Sequence, residues 1–212
     1  MPRIWFNKTH LRTILIFVMA LTAGCGALKR CAYEGINRDA WQHPEQVIQS
    51  LDIQPGNHIA DIGSGGGYFT FRLAEAVGPT GNVDAVDVDS EMNEYVAARA
   101  QEEGYENIQV ILAEPNDPLL PESGVDLIFT CNTYHHLADR ANYFARAGKY
   151  LRPGGRIAVI EFNGEGWLQQ LGGHWTSSDT IQRELKDAGY SLDREFQFLP
   201  KQVFLIFSRH QT

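Results

Sequence analysis

The sequence predicts an α/β domain with a doubly wound, mostly parallel sheet of seven strands and an antiparallel hairpin at its C-terminal end. Two observations support this prediction. Apolar runs alternate with amphipathic helical segments over residues 58–162, a pattern typical of parallel strands covered by helices on both faces. The last two apolar runs are separated only by Leu199, Pro200 and Lys201, which is too short a connection for a parallel crossover.

The predicted elements follow in regular order. A helix over residues 44–51 has Pro44 in its first turn and is followed by a turn at Gln54-Pro55-Gly56. Five strands come next, over residues 58–62, 83–88, 108–112, 125–131 and 156–162. The helices are expected between and after them, over residues 69–77, 90–103, 139–150 and 180–188. Pro153-Gly154-Gly155 is expected to stop the third of these helices and to begin the fifth strand, and residues 193–198 and 202–207 form the closing hairpin.

The composition is that of one globular domain with an acidic surface. Of 212 residues, 43% are hydrophobic and 21% are charged, which suits a single packed core and is not typical of disorder. The formal charge of −8 repels phosphate backbones, so we expect no nucleic-acid partner. Cys25, Cys31 and Cys131 are too widely spaced for a disulfide framework or a zinc site, and we expect no metal site.

The first 24 residues read as a targeting segment. Basic residues precede an apolar run over residues 14–23, about ten residues long, whereas a helix that crosses a bilayer needs ~20. The run ends in Leu21-Thr22-Ala23-Gly24-Cys25, and small residues before a cysteine resemble the bacterial lipoprotein signal. That resemblance implies cleavage before Cys25, lipidation of its thiol and a membrane-anchored domain facing the periplasm or exterior. The alternatives are an ordinary cleaved signal, or an uncleaved anchor with the domain on the cytoplasmic face.

The predicted organisation therefore has three parts. Residues 1–24 form the signal peptide, residues 25–51 form a tether and an N-terminal cap helix, and residues 52–212 form the main domain.

A glycine-rich loop links the first predicted strand to the next helix, in the run Asp61-Ile62-Gly63-Ser64-Gly65-Gly66-Gly67-Tyr68-Phe69. Glycines permit a tight turn and let a ligand lie against backbone N–H groups at the start of a helix. Tyr68 stands where a dinucleotide-binding fingerprint has its third glycine. The carboxylate of Asp61 opposes a pyrophosphate but suits a ligand with a cationic amino group.

An acidic residue marks the tip of the second predicted strand. A carboxylate there can accept hydrogen bonds from both hydroxyls of a ribose, and Asp87 occupies the position where the apolar alternation ends. Asp89, which precedes Ser90, is favoured as a helix N-cap over a ligand contact.

In this combination the sequence resembles the class I S-adenosylmethionine-dependent methyltransferases, in particular the small type 11 branch, over about residues 51–209. Asp61 and the glycines match the family's acidic-glycine motif, and Asp87 matches its ribose-binding acid. Glu114 stands where the family usually has an aspartate that contacts adenine. The resemblance implies a Rossmann-like methyltransferase fold and S-adenosylmethionine as cofactor, bound by Asp61, Gly63, Gly65, Gly67, Tyr68, Asp87, Glu114 and Asn132.

The segment after the fourth predicted strand carries the candidate catalytic residues. His135 or His136 can act as a general base, because imidazole titrates near neutrality, or both can be structural. Two adjacent histidines do not point the same way in a helix, so we expect at most one to act. Asn132-Thr133-Tyr134-His135 lacks the Asn/Asp-Pro-Pro-aromatic motif of DNA-methylating members, which disfavours nucleobase methylation. Cys131 is expected to be a buried small hydrophobe and not a nucleophile.

Two further segments offer polar side chains near the same edge of the sheet. Glu161 and Asn163 follow the fifth strand and can bind a metal or substrate, although a solvated strand end is the favoured interpretation. His174 and Trp175 form either a wall of the substrate site or a loop that leads into a helix capped near Ser177 or Ser178.

Two functions of different class are compatible with these features. One is methyl transfer from S-adenosylmethionine to a small-molecule or lipid-like acceptor by a membrane-tethered enzyme. The alternative is a non-catalytic lipoprotein that keeps the fold as a binding scaffold, because S-adenosylmethionine is not normally supplied outside the cytoplasm. A nicotinamide oxidoreductase is opposed by Tyr68 and by the closing hairpin.

Overall fold

A computed structural model describes residues 37–122, 124–165 and 174–209 of the chain. The predicted signal peptide, Cys25, Cys31 and most of the predicted tether lie outside the described residues. Within these described ranges, no helix is both long enough and apolar enough to cross a membrane.

The described residues form helices and strands that alternate along the chain. The helices are α1 (Arg38–Gln42), α2 (Pro44–Ser50), α3 (Thr70–Val77), α4 (Ser90–Glu103), α5 (Arg140–Ala147) and α6 (Ser178–Asp187). The strands are β1 (His58–Ile62), β2 (Asn82–Asp87), β3 (Ile108–Leu112), β4 (Val125–Cys131), β5 (Leu151–Phe162), β6 (Tyr190–Phe196) and β7 (Gln202–Arg209). A single turn of 3₁₀ helix, Tyr134–His136, follows β4.

All seven strands join one sheet in the order β3-β2-β1-β4-β5-β7-β6. The pairs β1–β2, β2–β3, β1–β4 and β4–β5 are parallel, whereas β7 runs antiparallel to both β5 and β6. The predicted doubly wound sheet with an antiparallel C-terminal hairpin is therefore confirmed. The chain order reverses between β1 and β4, and in such sheets ligands bind beyond the carboxyl ends of the strands at this point.

Alternate residues of the central strands pack on opposite faces of the sheet. Along β4, Ile128 belongs to the apolar cluster on one face, whereas Phe129 belongs to the cluster on the other. Ile157 and Ala158 of β5 divide in the same way. Both faces are thus buried, which explains why these strands read as continuous apolar runs in the sequence.

Several predicted boundaries differ from the observed ones, among them the start of β6, predicted at residue 193 and observed at Tyr190. Two of the differences have identifiable reasons. Strand β5 begins at Leu151, which pairs with Val125, and the register then shifts so that Leu127 pairs with Arg156. Pro153-Gly154-Gly155 therefore lies in an irregularity inside β5 and does not precede it. Helix α5 ends at Ala147 and not at residue 150, because the next residues turn to pair with the start of β4. Helix α1 was not predicted, since its five residues show no period.

Candidate active site

The candidate site lies at the carboxyl ends of β1, β2, β4 and β5, on both sides of the reversal in strand order. The glycine-rich loop leaves β1 and is tied to β2, because the N–H groups of Gly63 and Ser64 both donate to the carbonyl of Val86. Gly63 has a φ of +74°, and a Cβ there would lie 2.1 Å from Oγ1 of Thr133. The loop therefore requires glycine at this position both for its left-handed backbone and for its close approach to the end of β4.

Asp61, at the base of the loop, is a buried carboxylate on β1. It accepts a hydrogen bond of 2.7 Å from the hydroxyl of Thr70. Burial raises the pKa of Asp61 to about 7, against the lowering effects of Thr70 and of the cationic side chain of Arg38. Arg38 lies on α1 and was not predicted as a site residue. Together the two side chains present a carboxylate and a guanidinium, which complement the ammonium and carboxylate of an amino-acid ligand.

Asp87 ends β2 with a half-buried carboxylate. One of its oxygens accepts a hydrogen bond of 2.8 Å from the N–H of Gly65, and the other accepts one of 2.9 Å from the N–H of Asp89. Each carboxylate oxygen can accept a second hydrogen bond. The side chain is therefore held in a fixed orientation and still has capacity for ligand hydroxyls. Asp89 acts as the N-cap of α4 and accepts from the N–H of Glu91, as predicted.

Two other predicted cofactor-binding residues lie at the margins of this edge. Glu114 follows β3, is exposed and forms an isolated bridge with Asp117. Tyr68 donates a hydrogen bond of 2.6 Å from its hydroxyl to Asp39 of α1, and the guanidinium of Arg38 lies 3.8 Å from the centre of its ring. Tyr68 thus joins the glycine-rich loop to helix α1.

A group of polar side chains surrounds the end of β4. Asn132 has a φ of +56°, and its side-chain oxygen accepts a hydrogen bond of 2.6 Å from Gln202 of β7. Gln202 in turn accepts from the buried amide of Gln42 on α1. Burial raises the pKa of the Cys131 thiol to about 12, so this thiol is protonated near neutral pH.

The two predicted catalytic histidines lie in the 3₁₀ turn after β4. Nδ1 of His135 lies 2.9 Å from the carboxylate of Glu161 on β5, which also accepts the backbone N–H of His135. Nε2 of His135 is buried and has no hydrogen-bond partner among the described residues. Glu161 is fully buried, so the interpretation of a solvated strand end was wrong. A carboxylate from the neighbouring strand instead anchors the histidine turn.

His136 is exposed, yet its ring centre lies only 4.0 Å from that of His135. The prediction that the two side chains point apart was therefore wrong. Both rings turn toward His174, whose ring centre lies 5.4 Å from that of His135 and 5.5 Å from that of His136. Burial and the neighbouring His135 and His174 lower the pKa of His136.

Comparison with known proteins identifies the family. Residues 53–196 match a family described as "Methyltransferase domain". The chain belongs to this methyltransferase family. The chain also superposes on a SAM dependent methyltransferase from Aquifex aeolicus with a TM-score of 0.79 and 25% identity, over 84% of this chain and 96% of that one.

Curated relatives match over part of their length. Nocamycin O-methyltransferase of Saccharothrix syringae is 32% identical over 54% of this chain and 41% of its own. A ubiquinone/menaquinone biosynthesis C-methyltransferase, UbiE, of Ectopseudomonas mendocina is 28% identical over 57% of this chain and 47% of its own. The chain therefore spans less than half the length of these two relatives.

The family implies S-adenosylmethionine as the cofactor, and the site residues fit it. Asp61 and Arg38 offer opposite charges for the amino-acid end, and Asp87 offers acceptor capacity for ribose hydroxyls. The hydroxyl of Ser64 in the loop is buried and has no partner among the described residues, so it can bond to a ligand.

Proposed function

We propose that the methyltransferase transfers a methyl group from S-adenosylmethionine to a small or lipid-like acceptor molecule. The observation that carries this proposal is the pair of carboxylates, Asp61 and Asp87, that flank the glycine-rich loop at the ends of neighbouring strands. When bound, S-adenosylmethionine supplies a methyl group on a positively charged sulfur. The neutral thioether that remains after transfer is a good leaving group. The protein then has mainly to align the acceptor and to exclude water.

The residues of this edge divide into cofactor-holding and acceptor-facing groups. Asp61 and Arg38 would hold the amino-acid end of the cofactor, and Asp87 would accept its ribose hydroxyls. Glu114 would contact the adenine, as the family resemblance implies, and Asn132, whose side-chain oxygen accepts a hydrogen bond from Gln202, would face the cofactor. On the acceptor side, a role for His135 or His136 as general base stays a prediction.

Four features support a small or lipid-like acceptor. Trp41 and Phe162 form an aromatic pair, with ring centres 6.0 Å apart, beside the carboxyl end of β5. Trp175 is 37% exposed on the approach to α6 and offers further apolar surface. The two curated relatives above are named for nocamycin and for ubiquinone/menaquinone biosynthesis, not for a nucleic acid or a protein. The formal charge of −8 also disfavours a nucleic-acid acceptor.

The test of the acceptor class uses the full-length chain in mild detergent with methyl-tritiated S-adenosylmethionine. Organic and aqueous small-molecule extracts of bacterial cells, bulk nucleic acid and bulk protein are supplied separately. We expect label in a small-molecule extract, its loss in Asp87→Ala and its retention in Asp89→Ser, which keeps the helix cap and removes the adjacent carboxylate. Label in nucleic acid or protein would contradict the acceptor class. Cofactor binding without transfer to any fraction would favour the non-catalytic scaffold.

We also propose that the methyltransferase is membrane-anchored through lipidated Cys25. The supporting feature is the short apolar run that ends in small residues before this cysteine. Labelling of expressing cells with a palmitate analogue should mark the wild-type chain and the matched control Cys31→Ser, but not Cys25→Ser. Membrane association without label would favour an uncleaved anchor with the domain on the cytoplasmic face.

A further inference from the structure

Three histidines from two separate segments meet beyond the carboxyl ends of β4 and β5. His135 and His136 belong to the 3₁₀ turn after β4, and His174 lies ahead of α6. One ring nitrogen from each residue lies within 4.8 Å of the others. Three imidazoles at this separation are a ligand set for a divalent transition metal.

The environment of His135 indicates which of its nitrogens is available. Its Nδ1 faces the buried carboxylate of Glu161 at 2.9 Å, and because a carboxylate only accepts, Nδ1 carries the proton. Nε2 then has a lone pair. The side chain is 4% exposed, and Nε2 has no partner among the described residues. A buried acceptor without a partner is unfavourable unless a ligand binds it.

Metal-binding histidines commonly have a carboxylate hydrogen-bonded to the ring nitrogen that does not bind the metal, as Glu161 is to His135. Such histidines donate their second ring N–H to a carboxylate or carbonyl, which fixes the tautomer and makes the ligand nitrogen more basic. Glu161 also accepts the N–H groups of His135 and Phe162, so its carboxylate is held rigidly. Its negative charge favours a cation at the histidine group.

We propose that His135, His136 and His174 bind a Zn²⁺ ion, with a fourth coordination position open to water or to an acceptor oxygen. Zn–N bonds of about 2.0–2.1 Å place two ligands of a tetrahedral ion roughly 3.3 Å apart. The nitrogens therefore have to close by up to roughly 1.5 Å. His136 and His174 are exposed, so rotation of their side chains can supply this movement, whereas His135 is fixed by Glu161.

The metal site goes beyond the proposed methyl transfer and does not depend on it, whereas its role toward an acceptor rests on that proposal. It lies at the acceptor side of the sheet, where an ion with an open position would orient an acceptor oxygen and lower the pKa of its hydroxyl. The sequence alone did not reveal it, because the cysteine spacing predicts no zinc site and His174 meets the pair only through the fold.

The test measures zinc on the untagged full-length chain in mild detergent. After removal of metal with a chelator, the chain is titrated with Co²⁺, whose visible absorption reports tetrahedral coordination, and then with competing Zn²⁺. We expect one metal per chain, and a loss of affinity of at least 100-fold in His174→Gln. Glu161→Gln should weaken binding by about 10–100-fold. His43→Asn is the matched control, because asparagine tolerates the left-handed backbone at that position, and it should bind metal like the wild type.

Binding of S-adenosylmethionine measured on the same samples separates this proposal from the proposed function. A folded chain that binds the cofactor but no stoichiometric Zn²⁺ would overturn the metal site alone. Zinc binding that is unchanged in His174→Gln would also overturn it, because the metal would then be held elsewhere. His174 is exposed, so its substitution does not threaten folding, whereas the loss of buried Glu161 can.

Discussion

Replacement of Asp61 by asparagine should stabilise the protein at high pH and weaken its cofactor binding. The pKa of Asp61 is raised by burial from 3.8 to about 7. The unfolded chain therefore releases this proton at lower pH than the folded chain, so the wild type loses stability as the pH rises from about 4 to about 7. At about 1.4 kcal/mol per pKa unit, the loss above pH 7 is at most about 4 kcal/mol.

Asparagine carries no charge and keeps an oxygen for the hydrogen bond from Thr70. Urea unfolding of both proteins, followed by tryptophan fluorescence, should therefore show a stability gain in Asp61→Asn that grows by roughly 2 kcal/mol from pH 5 to pH 7. A gain that does not change with pH, or a variant less stable than the wild type at pH 8, would refute the reasoning.

The same variant tests the role of Asp61 toward the cofactor. An ammonium group favours the ionised carboxylate, whose fraction falls about fivefold from pH 7 to pH 6 for a pKa of about 7. The dissociation constant of S-adenosylmethionine should rise by about that factor in the wild type. In Asp61→Asn it should be higher than in the wild type and flat over this range. Parallel pH profiles for the two proteins would show that Asp61 does not face the ammonium group.

Three further predictions concern the same edge of the sheet. Gly63→Ala should lower the free energy of unfolding, measured in urea, by about 2–5 kcal/mol, because its Cβ meets Thr133 and its backbone is left-handed. Gly154 also has a left-handed backbone but its Cβ would lie in open space, so Gly154→Ala should lower the free energy of unfolding by only about 1–2 kcal/mol. Iodoacetamide should label Cys131 at pH 8 about a thousandfold more slowly than an ordinary thiol, as followed by peptide mass, because its pKa is raised to about 12. Labelling at the ordinary rate would contradict the raised pKa. Arg38→Ala should weaken S-adenosylmethionine binding about tenfold in calorimetry, and unchanged affinity would remove Arg38 from the site.

The sheet could be predicted from the sequence because most of its strands have a recognisable apolar pattern in their own residues. The observed bounds of β1, β3 and β4 equal the predicted ones, since each is a short apolar run between polar turns. The start of β5 was misplaced because Pro153-Gly154-Gly155 breaks the apolar pattern inside the strand, and only the pairing of Leu151 with Val125 restores it. That pairing is a tertiary interaction and leaves no local signal.

The residues of the candidate site also divide into those with a local signal in the sequence and those without one. Asp61, the glycines and Asp87 occur in one βαβ unit, so their spacing along the chain reveals them. Arg38, Glu161 and His174 come from distant segments and join the site only through sheet order and loop conformation; Glu161, for example, is 26 residues from His135. Burial explains the misreading of Glu161, because a carboxylate at a strand end is ordinarily solvated.

Calorimetric titration of the full-length chain with S-adenosylmethionine, its demethylated product and NAD tests the central claim most directly. We predict that the first two bind and that NAD does not. Both affinities should be lost in Asp87→Ala and kept in Asp89→Ser, because only Asp87 offers its carboxylate to the ribose. A folded chain that binds none of the three ligands, or that binds S-adenosylmethionine equally well without the Asp87 carboxylate, would contradict the claim.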